Sequence, residues 1–136
     1  MCHVLIIEDE VLFAMELSCI LSASGATSFD VAETAAEAVY AASVRRPDII
    51  TSDIKLRSGT GVQAVAAIQA ALGPVPVIFI TASPEECRHL SWPARVLAKP
   101  LHDSTIARAF RDLTSAAACG FRQAPAVAAA EPIERP

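Results

Sequence analysis

The fold of this chain is decided by the stretch Ile49-Ile50-Thr51-Ser52-Asp53-Ile54-Lys55-Leu56. Its first residues form an apolar run typical of a buried β-strand, and the run ends at one aspartate, where a loop is expected. A carboxylate at the edge of an apolar core is energetically costly unless another group binds it. Other apolar runs of the chain end at Glu8, Asp9, Thr81 and Lys99. We therefore expect Asp53 to share a polar site with these residues.

The composition indicates one globular domain. The chain has 136 residues, of which 53% are hydrophobic and 19% are charged, so it is long enough to bury a core. Its net charge of −4 argues against broad electrostatic attraction to nucleic acid. No apolar run approaches the roughly 20 residues that span a bilayer, and acidic residues directly follow the first run. We therefore predict a cytoplasmic protein that binds neither nucleic acid nor membrane.

Strand-like runs alternate with helical periodicity along the chain. The runs cover residues 3–7, 27–32, the part of 49–56 that precedes Asp53, 75–80 and 95–98, and a helical pattern follows each of them. Five strands alternating with five helices predict an α/β sandwich with a parallel sheet and right-handed crossovers. The fourth helix begins near Ser83 and must be short, because Trp92 and Pro93 follow within about two helical turns.

The composition changes near the end of the chain. Residues 124–136 are rich in alanine and proline and show no periodicity. We predict a folded domain over residues 1–118 and a disordered tail over residues 119–136, which is too short to be an effector domain. The four cysteines lack the spacing of a zinc site or a disulfide framework, so we expect free thiols at Cys2, Cys19, Cys87 and Cys119.

The residues at the strand ends predict a particular chemistry. Ligands of parallel α/β sheets bind beyond the carboxyl ends of the strands, where Glu8, Asp9 and Asp53 would meet. Such a carboxylate cluster repels itself unless a cation neutralises it, and Mg²⁺ suits these oxygen ligands. Lys99 can neutralise an anion, and the Thr81 hydroxyl can donate a hydrogen bond. These groups predict Mg²⁺-assisted phosphoryl transfer to Asp53, with an aspartyl phosphate as product.

Each of these residues has an ordinary structural explanation when it is considered alone. A single aspartate after a strand is commonly a turn residue or a helix cap, as Asp53 could be. Acidic triplets such as Glu8-Asp9-Glu10 are commonly solvated helix starts that complement the helix dipole. The combination of acids after two strands, a threonine after a third and a lysine after a fourth favours the functional interpretation.

The motifs resemble the receiver domain of two-component response regulators. The resemblance covers about residues 2–118 and depends on Val4-Leu5-Ile6-Ile7-Glu8-Asp9-Glu10, Ser52-Asp53-Ile54-Lys55-Leu56 with Gly61 downstream, Thr81-Ala82 and Lys99-Pro100. It implies the flavodoxin-like strand order 2-1-3-4-5. It also implies that a histidine kinase or a phosphotransfer protein phosphorylates Asp53.

The resemblance implies a metal site made by four residues. Glu8 and Asp9 correspond to the acidic pair that holds Mg²⁺, with Asp9 as the preferred direct ligand. The Asp53 carboxylate and the backbone carbonyl of Lys55 would be further ligands.

The resemblance also implies how the phosphoryl group is bound. Thr81 corresponds to the switch hydroxyl, the Ala82 N–H would contact the phosphoryl group, and Lys99 would pair with it. Lys55 and Ser83 would flank the phosphoryl group and modulate its hydrolysis. Pro100, directly after the lysine, is a candidate for a cis peptide bond.

Three features depart from the family pattern, and one points to a subfamily. Val96 stands where an aromatic switch residue is usual, which puts the usual coupling to Thr81 in question. Arg57 stands where many receivers have proline, so a looser loop is expected there. The short fourth helix changes the surface that most receivers use for output. The segment from Thr81 to Pro100 looks most like receivers of alphaproteobacterial general-stress regulators.

The sequence therefore predicts a stand-alone receiver that catalyses only its own phosphoryl transfer and dephosphorylation. It would signal through altered protein–protein interaction or act as a phosphate sink for a kinase. A phosphohydrolase of the haloacid-dehalogenase type is the main alternative, although Lys55 occupies the position of the second acid that such enzymes need. A flavodoxin relative would need a phosphate-binding loop after the first strand, where Glu8-Asp9-Glu10 stands.

Overall fold

The computed structural model describes residues 1–82, 84 and 95–118. Two predicted segments, the short fourth helix and the tail, lie outside these residues. The same is true of Ser83, Cys87, Trp92 and Cys119. Cys2 and Cys19 are free thiols, as expected. Across the described ranges, no helix combines the length and the hydropathy needed to cross a membrane.

The described residues form a parallel sheet between two layers of helices. The strands are β1 His3–Ile7, β2 Ser28–Ala32, β3 Ile49–Ser52, β4 Val77–Thr81 and β5 Arg95–Ala98. The helices are α1 Val11–Ala23, α2 Ala35–Val44, α3 Gly61–Leu72 and α4 Asp103–Ala118. The strand order is β2-β1-β3-β4-β5, and all neighbouring strands are parallel. The predicted flavodoxin-like fold is confirmed.

The two faces of the sheet build two hydrophobic cores. Every residue of β1 and β4 is buried, which explains why both strands are apolar except for His3 at the start of β1 and Thr81 at the end of β4. Leu5 and Phe79 face one core beneath α2 and α3, and Ile6 and Ile80 face the other core beneath α1 and α4. In β2 only Ala32 is buried, as expected for the edge position that its more polar sequence predicts.

Local sequence signals set the ends of the elements. Gly25 has a φ of 119° after α1, and the N–H of Ala26 donates to Leu21 O at 3.0 Å, closing the helix. β3 ends at Ser52, so Asp53 is the first residue beyond the strand. The predicted fourth strand begins later than expected, at Val77, which pairs with Ile50 of β3. Pro76 contributes only its carbonyl, which accepts from the Ile50 N–H at 2.9 Å, because proline has no N–H to donate.

Candidate functional site

Three backbone hydrogen bonds continue the sheet past its strands and position the site residues. The Glu8 N–H donates to the last residue of β2 at 2.8 Å, and the Asp53 N–H donates to the last residue of β1 at 3.0 Å. The Lys99 N–H donates to the Thr81 carbonyl, at the end of β4, at 2.9 Å. Because these bonds fix the backbone directly after β1, β3 and β5, the three side chains start from one edge of the sheet.

Three carboxylates meet at this edge. One oxygen from each of Glu8, Asp9 and Asp53 lies within 4.8 Å of the others. Glu8 is only 2% exposed, whereas Asp9 and Asp53 are partly buried. The donor set consists of carboxylate oxygens from two adjacent residues and one facing residue. Such hard oxygen ligands fit Mg²⁺, so the residues present agree with the metal that the sequence predicted.

The Lys99 ammonium lies between two of these carboxylates. Its Nζ is 3.2 Å from Asp53 Oδ2 and 3.8 Å from Glu8 Oε1. The same Nζ lies 4.3 Å from the centroid of the Phe13 ring, a distance at which the ring face attracts a cation. The other oxygen of Asp53 accepts a hydrogen bond from the Ile54 N–H at 2.6 Å. Both oxygens of the Asp53 carboxylate are therefore bound by donors.

Burial has a strong effect on Glu8. It raises the pKa of the Glu8 carboxyl to about 7, while the Lys99 ammonium and the Glu10 N–H lower it and the Asp53 and Asp9 carboxylates raise it further. The Glu10 N–H donates to Glu8 Oε2 at 3.2 Å. Near neutral pH a proton therefore competes with any cation for this carboxylate.

The loop after Asp53 is closed tightly beneath the site. The backbone of Lys55 forms an antiparallel bridge with that of Thr60, and the Gly61 N–H donates to Ile54 O at 2.7 Å. A Cβ on Gly61 would overlap the carbonyl of Asp53 and the Ser52 hydroxyl. Only glycine fits there, which gives a physical reason for Gly61 in the motif.

Arg57 does not leave this loop loose. We expected a looser loop because arginine replaces proline, but Arg57 Nη1 lies 3.1 Å from Glu33 Oε1 at the end of β2. The carbonyl of the next residue, Ser58, accepts a hydrogen bond from the Ala35 N–H. The loop is thus attached to the neighbouring corner of the molecule.

The remaining predicted residues lie around the same edge. Thr81 ends β4 and is 3% exposed, and Ala82 follows it as an exposed residue. The peptide bond between Lys99 and Pro100 is cis. Ser83 is outside the described residues. Val96, at the position of the usual aromatic, is fully buried next to Phe79 in the core beneath α2 and α3.

Sequence reasoning missed the contact between Phe13 and Lys99. Phe13 fits the helical periodicity of α1, so the pattern indicated an ordinary core residue. Periodicity alone contains no signal that the ring meets the lysine directly after β5, because the two residues are far apart in the chain.

Comparisons with known proteins identify relatives by sequence. The model of the family described as response regulator receiver domain matches residues 4–111. The phyllosphere-induced regulator PhyR of Methylorubrum extorquens is 42% identical over 110 residues, which cover 76% of this chain and 40% of that protein. The KDP operon transcriptional regulatory protein KdpE of Escherichia coli is 35% identical over 86 residues, covering 63% of this chain and 37% of that protein. The chain spans 40% or less of each of these two relatives.

The chain is also similar to solved structures of PhyR proteins. The receiver domain of the Erythrobacter litoralis response regulator PhyR is 33% identical, with a TM-score of 0.74, and the match covers 91% of this chain and 94% of that chain. A mutant of the anti-anti-sigma factor PhyR from Bartonella quintana is 31% identical, with a TM-score of 0.70, and the match covers 83% of this chain and 48% of that chain.

Proposed function

This chain belongs to the response regulator receiver domain family, and we propose that it is a phosphorylation switch whose phosphoryl acceptor is Asp53. The observation that carries the proposal is the convergence of Glu8, Asp9 and Asp53 within 4.8 Å, with the Lys99 Nζ 3.2 Å from Asp53. This arrangement offers a nucleophilic carboxylate, a set of metal ligands and a cation for the incoming phosphoryl group in one place.

We propose Glu8, Asp9 and Asp53 as the residues that hold Mg²⁺, together with the backbone carbonyl of Lys55. Bound Mg²⁺ supplies positive charge for the oxygens of the transferring phosphoryl group. The lysine ammonium, now paired with Asp53 and Glu8, is close enough to pair with the phosphoryl oxygens after transfer.

Transfer begins with attack of an Asp53 carboxylate oxygen on the phosphorus of a phosphohistidine. A new oxygen–phosphorus bond forms while the nitrogen–phosphorus bond breaks, and the electron pair of that bond leaves with the imidazole, which takes up a proton. In hydrolysis, water attacks the same phosphorus, and the aspartate returns to a carboxylate as inorganic phosphate leaves. Thr81 and the Ala82 N–H contact the phosphoryl group in this scheme, while Lys55 and Ser83 flank it and modulate hydrolysis.

The phosphoryl donor in this proposal is a histidine kinase or a phosphotransfer protein. Phosphorylation changes the contacts around Thr81 and Lys55 and thereby alters a protein-binding surface, or the chain removes phosphoryl groups from a kinase as a sink. We retain residues 1–118 as the receiver domain, residues 119–136 as a tail and a cytoplasmic location as predictions.

A phosphohydrolase of the haloacid-dehalogenase type has less support. Such an enzyme needs a second acid two residues after the nucleophile, where this chain has Lys55. Without a general acid at that position, protonation of the leaving group has no assigned residue.

Intact-mass spectrometry tests the proposed function. Incubation of the protein with acetyl phosphate and Mg²⁺ should give one phosphoryl adduct in the wild type and none in Asp53→Asn. Asp112→Asn is the matched control, because Asp112 is an exposed aspartate of α4 that pairs with Arg95 of β5 and lies outside the carboxylate cluster. Slower or faster loss of the adduct in Lys55→Ala tests the modulating role. An adduct that persists in Asp53→Asn contradicts the assignment.

A further inference from the structure

The outer side of the loop after Asp53 is attached to the start of α2. Arg57 Nη1 lies 3.1 Å from Glu33 Oε1, and the Ala35 N–H, in the first turn of α2, donates to Ser58 O at 3.2 Å. Gly59 packs so closely that a Cβ on it would lie 2.8 Å from the Ala35 Cβ. Three consecutive loop residues therefore contact the corner between β2 and α2.

The inner side of the same loop carries proposed metal ligands. Asp53 begins the loop, and Lys55, whose carbonyl is a proposed ligand, is bridged to Thr60. Leu56 packs against the hydrophobic core beneath α2 and α3. Arg57 directly follows Leu56. Loss of its ion pair with Glu33 would therefore free the backbone only two residues from the Lys55 carbonyl.

The corner that receives the loop is connected to the opposite side of the site. Glu33 directly follows Ala32, whose carbonyl accepts the hydrogen bond from the Glu8 N–H at 2.8 Å. The Glu33 N–H donates to Glu37 Oε1 at 2.8 Å, which fixes the backbone of Glu33 at the start of α2. Contacts thus run from the Asp53 loop through Arg57 and Glu33 to the backbone of Glu8.

We propose that the ion pair between Arg57 and Glu33 positions the loop so that Asp53 and the Lys55 carbonyl face Glu8 for Mg²⁺ binding. This inference rests on the proposed function, because it uses the ligand roles assigned there. Arg57 and Glu33 belong to neither the carboxylate cluster nor the lysine contacts, so both are positioning residues.

The expected effect is small because both side chains are accessible to solvent. Arg57 is 64% exposed and Glu33 is 37% exposed, and ion pairs of this kind contribute little each. We expect loss of the pair to weaken Mg²⁺ binding by about twofold to fivefold.

Isothermal titration with Mg²⁺ of the wild type, Arg57→Gln, Glu33→Gln and the double variant tests this inference. Both single variants should bind Mg²⁺ more weakly, and the double variant should bind no more weakly than either one. A simple long-range charge effect would act in opposite directions, because removal of a cation strengthens Mg²⁺ binding and removal of an anion weakens it. Opposite shifts in the two single variants would therefore overturn the inference.

Hydrogen exchange provides a second readout that needs no metal. In the metal-free protein, the amides of residues 54–60 should exchange faster in both single variants than in the wild type. Unchanged exchange in these amides contradicts the positioning role. Arg95→Gln and Asp112→Asn are the controls, because they remove a different exposed ion pair, of 3.5 Å, and should alter neither readout.

The two proposals fail in different ways. A wild-type protein that binds no Mg²⁺ contradicts the proposed function itself. Normal wild-type binding with opposite shifts in Arg57→Gln and Glu33→Gln contradicts only the role of the ion pair.

Discussion

At the amino edge of the sheet His3 is 4% exposed, and at the carboxyl edge Glu8 is 2% exposed, but their surroundings differ. His3 Nδ1 lies 2.8 Å from Ser28 Oγ, and its Nε2 lies 3.0 Å from Asp30 Oδ2. The His3 N–H donates to Asp48 Oδ2 at 2.8 Å. Each polar group of this histidine has a complementary partner, so its burial is explained by structure alone.

The carboxyl edge has the opposite character. Glu8 is buried beside two other carboxylates, and its nearest cation, the Lys99 Nζ, is 3.8 Å away. Burial is the main cause of the raised pKa of Glu8, the Lys99 ammonium and the Glu10 N–H lower it, and the two carboxylates raise it further. The comparison teaches that burial of a polar residue does not identify a site. A carboxylate that is buried away from water and lies beside other carboxylates does indicate one, because a bound cation would stabilise its charged form.

The largest loss of stability is expected for substitution of Gly61 at the carboxyl edge, and Gly25 at the amino edge serves for comparison. Gly61→Ala should lower the free energy of unfolding by about 2–4 kcal/mol, because its Cβ would overlap the Asp53 carbonyl. Gly25→Ala has open space and only backbone strain at a φ of 119°, so we expect about 1–2 kcal/mol. Chemical denaturation measures both values, and Mg²⁺ titration should show weaker binding in Gly61→Ala alone. Equal losses with unchanged Mg²⁺ binding would contradict this account of Gly61.

The raised pKa of Glu8 predicts a pH dependence of stability. Its pKa rises from 4.5 to about 7 on folding, so the folded protein binds this proton more tightly than the unfolded chain does. The contribution of Glu8 to stability is therefore greatest below about pH 4.5 and is lost as the pH rises through about 7, by about 3 kcal/mol at most. Unfolding of the wild type and Glu8→Gln without metal, compared from pH 5 to 8, measures this loss.

The affinity for Mg²⁺ should change with pH in the direction opposite to the contribution of Glu8 to stability. This affinity should rise with pH until Glu8 is ionised near pH 7 and then level off, because the proton and the cation compete for one carboxylate. Glu8→Gln should bind Mg²⁺ weakly and with little pH dependence in this range. If the difference in stability between the wild type and Glu8→Gln stays constant with pH, the raised pKa assigned to Glu8 is wrong.

The amino edge should affect stability without affecting the site. His3→Ala should lower the free energy of unfolding by about 1–3 kcal/mol, since the hydrogen bonds to Ser28 and Asp30 are lost. Because these contacts lie at the other end of β1 from Glu8, Mg²⁺ affinity and phosphorylation should stay at wild-type levels. Impaired phosphorylation of a folded His3→Ala protein would break the distinction between the two edges.

Much of the fold was predictable from sequence because strand burial and helix ends have local causes. The apolar runs located β1, β3 and β5, and Pro47, which cannot continue a helix, explains why α2 ends by Val44. Thr34 caps the start of α2 by accepting a hydrogen bond from the Glu37 N–H, whereas the Glu37 side chain binds the Glu33 N–H and not that of Thr34. Such details depend on how neighbouring segments pack.

The site was predictable to a similar extent. Parallel strands place their carboxyl ends together, so Glu8, Asp53 and Lys99 could be assigned to one edge before their distances were known. The depth of burial of Glu8 and the role of Arg57 were not predictable in this way. Both depend on contacts between segments distant in sequence, for which the chain contains no periodic signal.

The most direct test of the account identifies the phosphorylated residue itself. Borohydride reduces an aspartyl phosphate to homoserine with release of phosphate, and peptide mass spectrometry then locates the altered residue. After treatment with acetyl phosphate and Mg²⁺, we predict homoserine at position 53. Reduction at Glu8 or Asp9, or a phosphoryl adduct that yields no reduced acidic residue, would contradict the assignment of Asp53 as the acceptor.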